Sequence, residues 1–330
     1  MPGGLNRETA CVKLPTALEF YRLRSWFQIM SLSNNQASTL LPRRHYKDGV
    51  WLSVVGFGGI IVKDAGQAAA DKVVDDAVGM GVNYFDVAPA YGNAQAKLGP
   101  ALEPFRKEVF LACKSHLRSA EETKRLMEES LRLLRTDYFD LYQLHGLVDV
   151  EKDVDSVFGP GGAWEPILKA KEAGVINYLG FSAHSQEAAV AALERYPFDS
   201  ILFPVNFASF LAGGFGSKAL AAAKERETKI LALKSMARQQ WREGHPKREQ
   251  YSKCWYEPLD DPDLAWLAMR FTLGQGVVSL IPPGEESLWR MAVAQVSRGI
   301  DPLCADELET LERKAGELDP VFREGSEADG

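Results

Sequence analysis

The sequence predicts an α/β protein with one main domain, a (β/α)8 TIM barrel. Three observations predict it. Eight short apolar segments alternate with helical ones along the chain. These segments are apolar on both faces, as in parallel strands covered on each side. Three successive strands end in Asp86, Lys114 and His145. In a closed parallel barrel such ends converge on one mouth. A doubly wound open sheet would need a GxGxxG turn between a strand and a helix. Gly56-Phe57-Gly58-Gly59 lacks that spacing, and no helix follows it directly.

The elements follow in order. The first strand is expected at Trp51 to Val55. A helix from Gly66 to Met80 puts Ala70, Val73, Val74 and Ala77 on one face at helical spacing. The second strand, Val82 to Phe85, ends in Asp86, and a loop then carries Tyr91 and Gly92 before a helix at Ala94 to Leu102. The third strand, Val109 to Cys113, runs into Lys114. Ser119 and Glu122 predict a capping box for a helix from Ala120 to Leu134. The fourth strand, Tyr138 to Leu144, runs into His145. The helix from Trp164 to Ala173 stops at Gly174, a helix-terminating glycine. Then come strand Tyr178 to Phe181, helix Ser185 to Arg195, strand Ser200 to Phe203, helix Ser217 to Arg226 and strand Lys229 to Leu233. Helix Asp263 to Leu273, strand Val277 to Ile281 and a last helix from about Ala305 to Lys314 complete the pattern.

Residues 1–42 read as an N-terminal extension, flexible by composition, ahead of a barrel at 43–330. Charges interrupt its apolar stretch Leu18 to Met30, which makes a poor signal-peptide core. Ser31 to Ser38 has linker composition. A hydrophobic share of 46% with 25% charged residues is that of a globular chain. The net charge of -7 argues against a nucleic-acid partner, and no apolar run is long enough for a membrane span. Four cysteines without CxxC spacing fit free thiols in a reducing cytoplasm. The segment from Ser235 to Asp261 is long, charged and aromatic, and its place after the seventh strand suggests a lid or a rim packing.

Asp86, Tyr91, Lys114 and His145 are the candidate catalytic residues. Carbonyl reduction is one reaction such a set would serve, and it needs a proton donor as well as a hydride donor. A free tyrosine, with a pKa of about 10, gives up its proton too reluctantly. A nearby ammonium stabilises the phenolate and lowers that value. A carboxylate holds the ammonium, and a histidine donor orients the carbonyl. His116 and His184 are default pocket or surface residues. A metal site is disfavoured because the first strand offers no His-x-His.

Asp86-Val-Ala-Pro-Ala-Tyr-Gly92 with Leu98-Gly99, Val109 to Lys114, and Asp137 to His145 resemble the signatures of the aldo-keto reductase family. His145-Gly146 and Ala232-Leu-Lys234 are closest in style to bacterial members that can carry a ferredoxin-like domain, whose cysteines are not among these four. The resemblance implies a carbonyl substrate, an NADP or NAD cofactor, and cofactor contacts from Gly58, Gly59, Ser182, Asn206, Lys234, Gly284 and Arg290. It implies no metal. The cofactor side departs from the family pattern. Leu202 and Leu233 stand where Gln and Tyr are usual, and Glu285 and Glu286 follow the eighth strand. A catalytically weak member that binds or senses nucleotides is the alternative implied.

Overall fold

The computed structural model describes residues 41–325. Leu18 to Met30 and the linker Ser31 to Ser38 lie outside them. The chain enters through an antiparallel hairpin, β1 (Arg43–His45) and β2 (Trp51–Ser53), with Arg44 opposite Leu52. This corrects the expected first barrel strand. Trp51 to Ser53 belongs to the hairpin, and the first parallel strand is β3 (Phe57–Gly58). The reason is where the apolar side chains go. Tyr46 and Leu52 are fully buried and form one cluster with Tyr84, Phe110, Leu141, Leu202 and Leu231. These side chains come from the early parts of the barrel strands, so the hairpin seals the floor.

Seven further parallel strands follow: β4 (Tyr84–Asp86), β5 (Phe110–Ser115), β6 (Phe139–Leu147), β7 (Ile176–Ala183), β8 (Ser200–Pro204), β9 (Lys229–Leu233) and, after two short strands given below, β12 (Val277–Leu280). They pair in sequence order from β3 to β9, and β12 lies beside β9. A parallel bridge between Val55 and Leu280 closes the ring. Gly56 N–H donates to Leu280 O at 2.9 Å, and Leu280 N–H to Val54 O at 3.0 Å. That closure is what an open sheet would lack.

Most helices lie where their periodicity puts them, but a helix at Glu286–Val296, after β12, was not expected. Helix Gln67–Gly79 buries the four residues expected of it, Ala70, Val73, Val74 and Ala77. Helix Ala120–Leu133 corrects a detail: Ser119 holds the N-cap position, but its hydroxyl bonds the Glu122 carboxylate and caps no helix N–H. Both partners are solvent-accessible, so water can meet the helix N–H groups instead. No helix among the described residues is long and apolar enough to cross a membrane.

Gly99, in helix Ala94–Leu102, sits where that helix meets the end of helix Ala120–Leu133. A Cβ there would lie 2.1 Å from Leu133 O. Gly99→Ala would gain about 1 kcal/mol of helix propensity. Forcing two backbones apart costs about 1–3 kcal/mol or more. We expect a net loss of up to about 2 kcal/mol, read as a lowered denaturant midpoint at unchanged slope. A raised midpoint would show that propensity wins and the helices can slide.

Candidate active site

Inward-facing side chains along a barrel strand recur every second residue. Tyr84 and Asp86 on β4, Ala112 and Lys114 on β5, and Leu141, Gln143 and His145 on β6 are such rows. Their lower members join the floor cluster. The upper members form the site. Asp86 is 2% exposed and Lys114 1%. The Lys114 ammonium is ion-paired with Asp86 Oδ1. Gln143 Nε2 donates to Asp86 Oδ2 at 3.1 Å, and Tyr84 OH to the same oxygen at 3.3 Å. The carboxylate is thus held from three strands.

Tyr91 lies in the loop beyond β4, where its N–H donates to Ala88 O. Its ring meets His145 edge-on, with centroids 5.8 Å apart at 87°. The Lys114 Nζ stands 5.4 Å from the centre of the Tyr91 ring. The structure therefore brings Asp86, Tyr91, Lys114 and His145 together. It corrects one part of the electrostatic expectation. Burial of the phenol is the largest influence and outweighs the Lys114 charge, so the Tyr91 pKa stands above its usual value. Burial alone would lower the Lys114 pKa, but Asp86 and Tyr91 raise it more, and the ammonium stays charged. Burial, then the charge of Lys114, pushes His145 down to about 2, so its imidazole is neutral at neutral pH.

The residues expected around a cofactor divide into two groups. The first is used by the fold itself. A Cβ on Gly59 would lie 2.7 Å from Val87 Cγ2, one on Gly58 3.1 Å from Ile281 Cγ2, and one on Gly284 2.3 Å from Ile60 Cγ2. Asn206 caps the short helix after β8 by accepting from Ser209 N–H at 3.0 Å. Its amide donates to Lys234 O at 3.0 Å and Ala237 O at 2.6 Å, tying the β8 and β9 exits together. Arg290 pairs with Asp76 at 2.7 Å and Glu286 at 2.8 Å. Leu202 and Leu233 pack into and against the floor cluster.

The second group faces the mouth. Ser182 Oγ accepts from Gly146 N–H at 2.8 Å, which leaves its own proton free. Lys234 has φ of 63°, an uncommon backbone conformation for a side-chain-bearing residue. Its ammonium rests over the rings of Trp255 (4.9 Å) and Tyr256 (5.1 Å). No carboxylate among the described residues pairs with it, and burial pushes it down to about 8. His145 Nδ1, His184 Nε2 and Ser235 Oγ are buried without a hydrogen-bond partner. Orphaned polar atoms beside an unpaired cation suit a polar, anionic group such as a nicotinamide dinucleotide.

The segment after β9 is not one loop. Its ends pair as β10 (Ala237–Gln239) and β11 (Glu257–Pro258). Between them the chain crosses to the far rim. Lys253 N–H donates to Glu285 Oε1 at 2.8 Å, and its ammonium donates to Ile61 O at 2.7 Å. This excursion and the β3 and β4 exits enclose a cavity of about 920 Å³ that reaches Tyr91.

Sequence reasoning missed Tyr84, Gln143 and Phe322. Tyr84 and Gln143 each lie two residues before a candidate residue, so the strand alternation could have found them. Phe322, from the C-terminal segment, stacks on His184 with centroids 5.6 Å apart and meets Trp255 edge-on at 6.1 Å. No local pattern announces that contact.

Residues 55–211 match the model of the Aldo/keto reductase family. An uncharacterized oxidoreductase of Bacillus subtilis, YqkF, is 32% identical over 40% of this chain and 45% of its own length. The L-galactose dehydrogenase of Arabidopsis thaliana is 24% identical over 83% of this chain and 92% of its own. The chain spans about half the length of the first curated relatives it matches, 45% and 54%. An aldo-keto reductase of Bacillus halodurans, solved in its holo form, superposes with a TM-score of 0.66 at 22% identity. It covers 86% of this chain and 99% of that one, and it shows a shared fold.

Proposed function

We propose that the chain is a member of the aldo/keto reductase family, whose model matches residues 55–211, and that it reduces an aldehyde or ketone to the alcohol, with NAD(P)H as hydride donor and Tyr91 as proton donor. The observation that carries this reading is the buried Lys114–Asp86 pair beside the Tyr91 ring, with neutral His145 in edge-on contact with that ring. When bound, the reduced nicotinamide supplies a hydride to the carbonyl carbon.

The protein's own residues supply the rest. Tyr91 stays protonated at neutral pH, the state a general acid needs. As the carbonyl oxygen gains charge, Tyr91 passes it a proton and becomes a phenolate. Lys114 offsets that new charge from a position fixed in advance by Asp86, so little reorganises during the step. Gln143 and Tyr84 keep Asp86 from turning away. His145 is placed to hydrogen-bond the carbonyl oxygen and orient it. Ser182 and Lys234 are the side chains that would meet the cofactor directly. Asn206, Gly58, Gly59 and Gly284 would shape its cradle through the backbone.

The test is turnover of simple aldehydes by purified protein with NADPH or NADH. Tight nucleotide binding without turnover of any of them would favour a binding or sensing role.

The cofactor pair also yields a prediction. Arg290 is the one cation expected near a 2′-phosphate, and two carboxylates already hold it. To reach a phosphate it must leave both partners, each exposed pair contributing roughly 0.2–1 kcal/mol. We expect the dissociation constants for NADPH and NADH at low salt to agree within about tenfold. A hundredfold preference for NADPH that disappears in Arg290→Ala would overturn this.

A further inference from the structure

We propose that the mouth cavity selects carbonyl compounds that also carry a carboxylate, an inference that rests on the reductase reading of the site. The cavity that reaches Tyr91 is lined by Lys63, Arg248 and Lys253, with Glu249 the one carboxylate among its described lining residues. Among the described residues no ion pair involves Lys63 or Arg248. The Lys253 ammonium donates to a carbonyl, Ile61 O, and its backbone N–H to Glu285 Oε1. These cations are therefore not part of the salt-bridge pattern that covers much of this protein's surface. They are concentrated on a chain of net charge -7. A positive cavity on an acidic molecule concentrates small anions by field focusing.

Lys253 borders the cofactor cradle, its Cβ lying 3.7 Å from where a Gly284 Cβ would stand, so Lys63 and Arg248 are the cations that distinguish a substrate's carboxylate from the nucleotide's phosphates. Lys63 follows the β3 exit, and Ala90 and Tyr91 follow β4. The free groups suited to a dinucleotide are Ser182, at the end of β7, His184, just after it, and Lys234, just after β9. A substrate whose carbonyl sits at Tyr91 can extend its other end toward Lys63 and Arg248. A guanidinium without a partner offers a carboxylate a bidentate pair.

The probes are 4-carboxybenzaldehyde and its methyl ester, which present the same carbonyl and differ in charge. Each is titrated calorimetrically into the protein with excess oxidised cofactor, which blocks turnover, and each is assayed separately as a substrate with reduced cofactor. We expect the acid to bind at least about tenfold more tightly than the ester at low salt. The ratio should shrink toward one in about 0.5 M salt. It should shrink likewise in the double variant Lys63→Ala/Arg248→Ala. Both side chains are solvent-accessible, and the salt series on the unaltered protein reads the same quantity without mutation. Equal affinities for acid and ester would overturn the proposal. So would a preference that survives the double substitution. A double variant that weakens NADPH binding and leaves the acid-to-ester ratio intact would assign the cations to the nucleotide instead, which also overturns it. Failure to reduce either compound counts against the reductase reading, while the affinity ratio still decides the charge selectivity.

Discussion

Tyr91→Phe is expected to lower carbonyl turnover by roughly 10²–10⁴-fold while leaving cofactor affinity nearly unchanged. The phenol contributes a proton and little else to the geometry. Its ring packs edge-on against His145, and phenylalanine keeps that contact. The Lys114 ammonium near the ring face remains paired with Asp86 whether or not the hydroxyl is present. Fold and cofactor cradle should therefore persist, and only the acid is lost. Initial rates with a simple aldehyde, beside a fluorescence titration with NADPH, make the measurement. Turnover equal to that of the parent would remove Tyr91 from its assigned role and with it the catalytic reading of all four residues.

Lys114→Met is expected to damage both stability and turnover. Asp86 is 2% exposed, and without the ammonium it keeps only neutral donors, Gln143 Nε2 and Tyr84 OH. Leaving one member of a buried ion pair uncompensated costs about 3–5 kcal/mol. Whole domains are stable by only about 5–15 kcal/mol, so a large fall in denaturant midpoint should follow. A structural role alone would predict the same fall, so a second variant separates the two. In Asp86→Asn/Lys114→Met no buried charge is stranded, and much of the lost stability should return. Turnover should not return, because nothing then offsets the phenolate on Tyr91. Recovery of turnover along with stability would show that the pair serves only the fold.

Much of the fold and part of the site were legible from particular residues. Strand and helix carry their periods locally. Ala70, Val73, Val74 and Ala77 were read as one helix face and are the residues that helix buries. Asp86, Lys114 and His145 mark the ends of successive parallel strands, and barrel closure carries such ends to one place. Trp51 to Val55 misled for an equally local reason. An apolar run reads alike whether it pairs inside a barrel or beneath it, and only the burial of Tyr46 and Leu52 against Tyr84 and Phe110 decides. Strand alternation places Gln143 on the face of His145, but its role shows only once its carboxylate partner is located 57 positions away in sequence.

By itself, the sequence determined the barrel, most of its alternation of strands and helices, and which side chains stand at the strand ends, because each follows from spacing along a few neighbouring residues. The entry hairpin and the helix Glu286–Val296 were not among them. Tertiary structure decided the balance of charge. Burial raises Tyr91 above its usual pKa despite Lys114. Asp76, 214 positions distant, claims Arg290. Among the described residues, Lys234 is left with aromatic faces and no carboxylate. Desolvation and ion pairing depend on what lies within a few ångströms in space, and that is set only when distant segments are packed together.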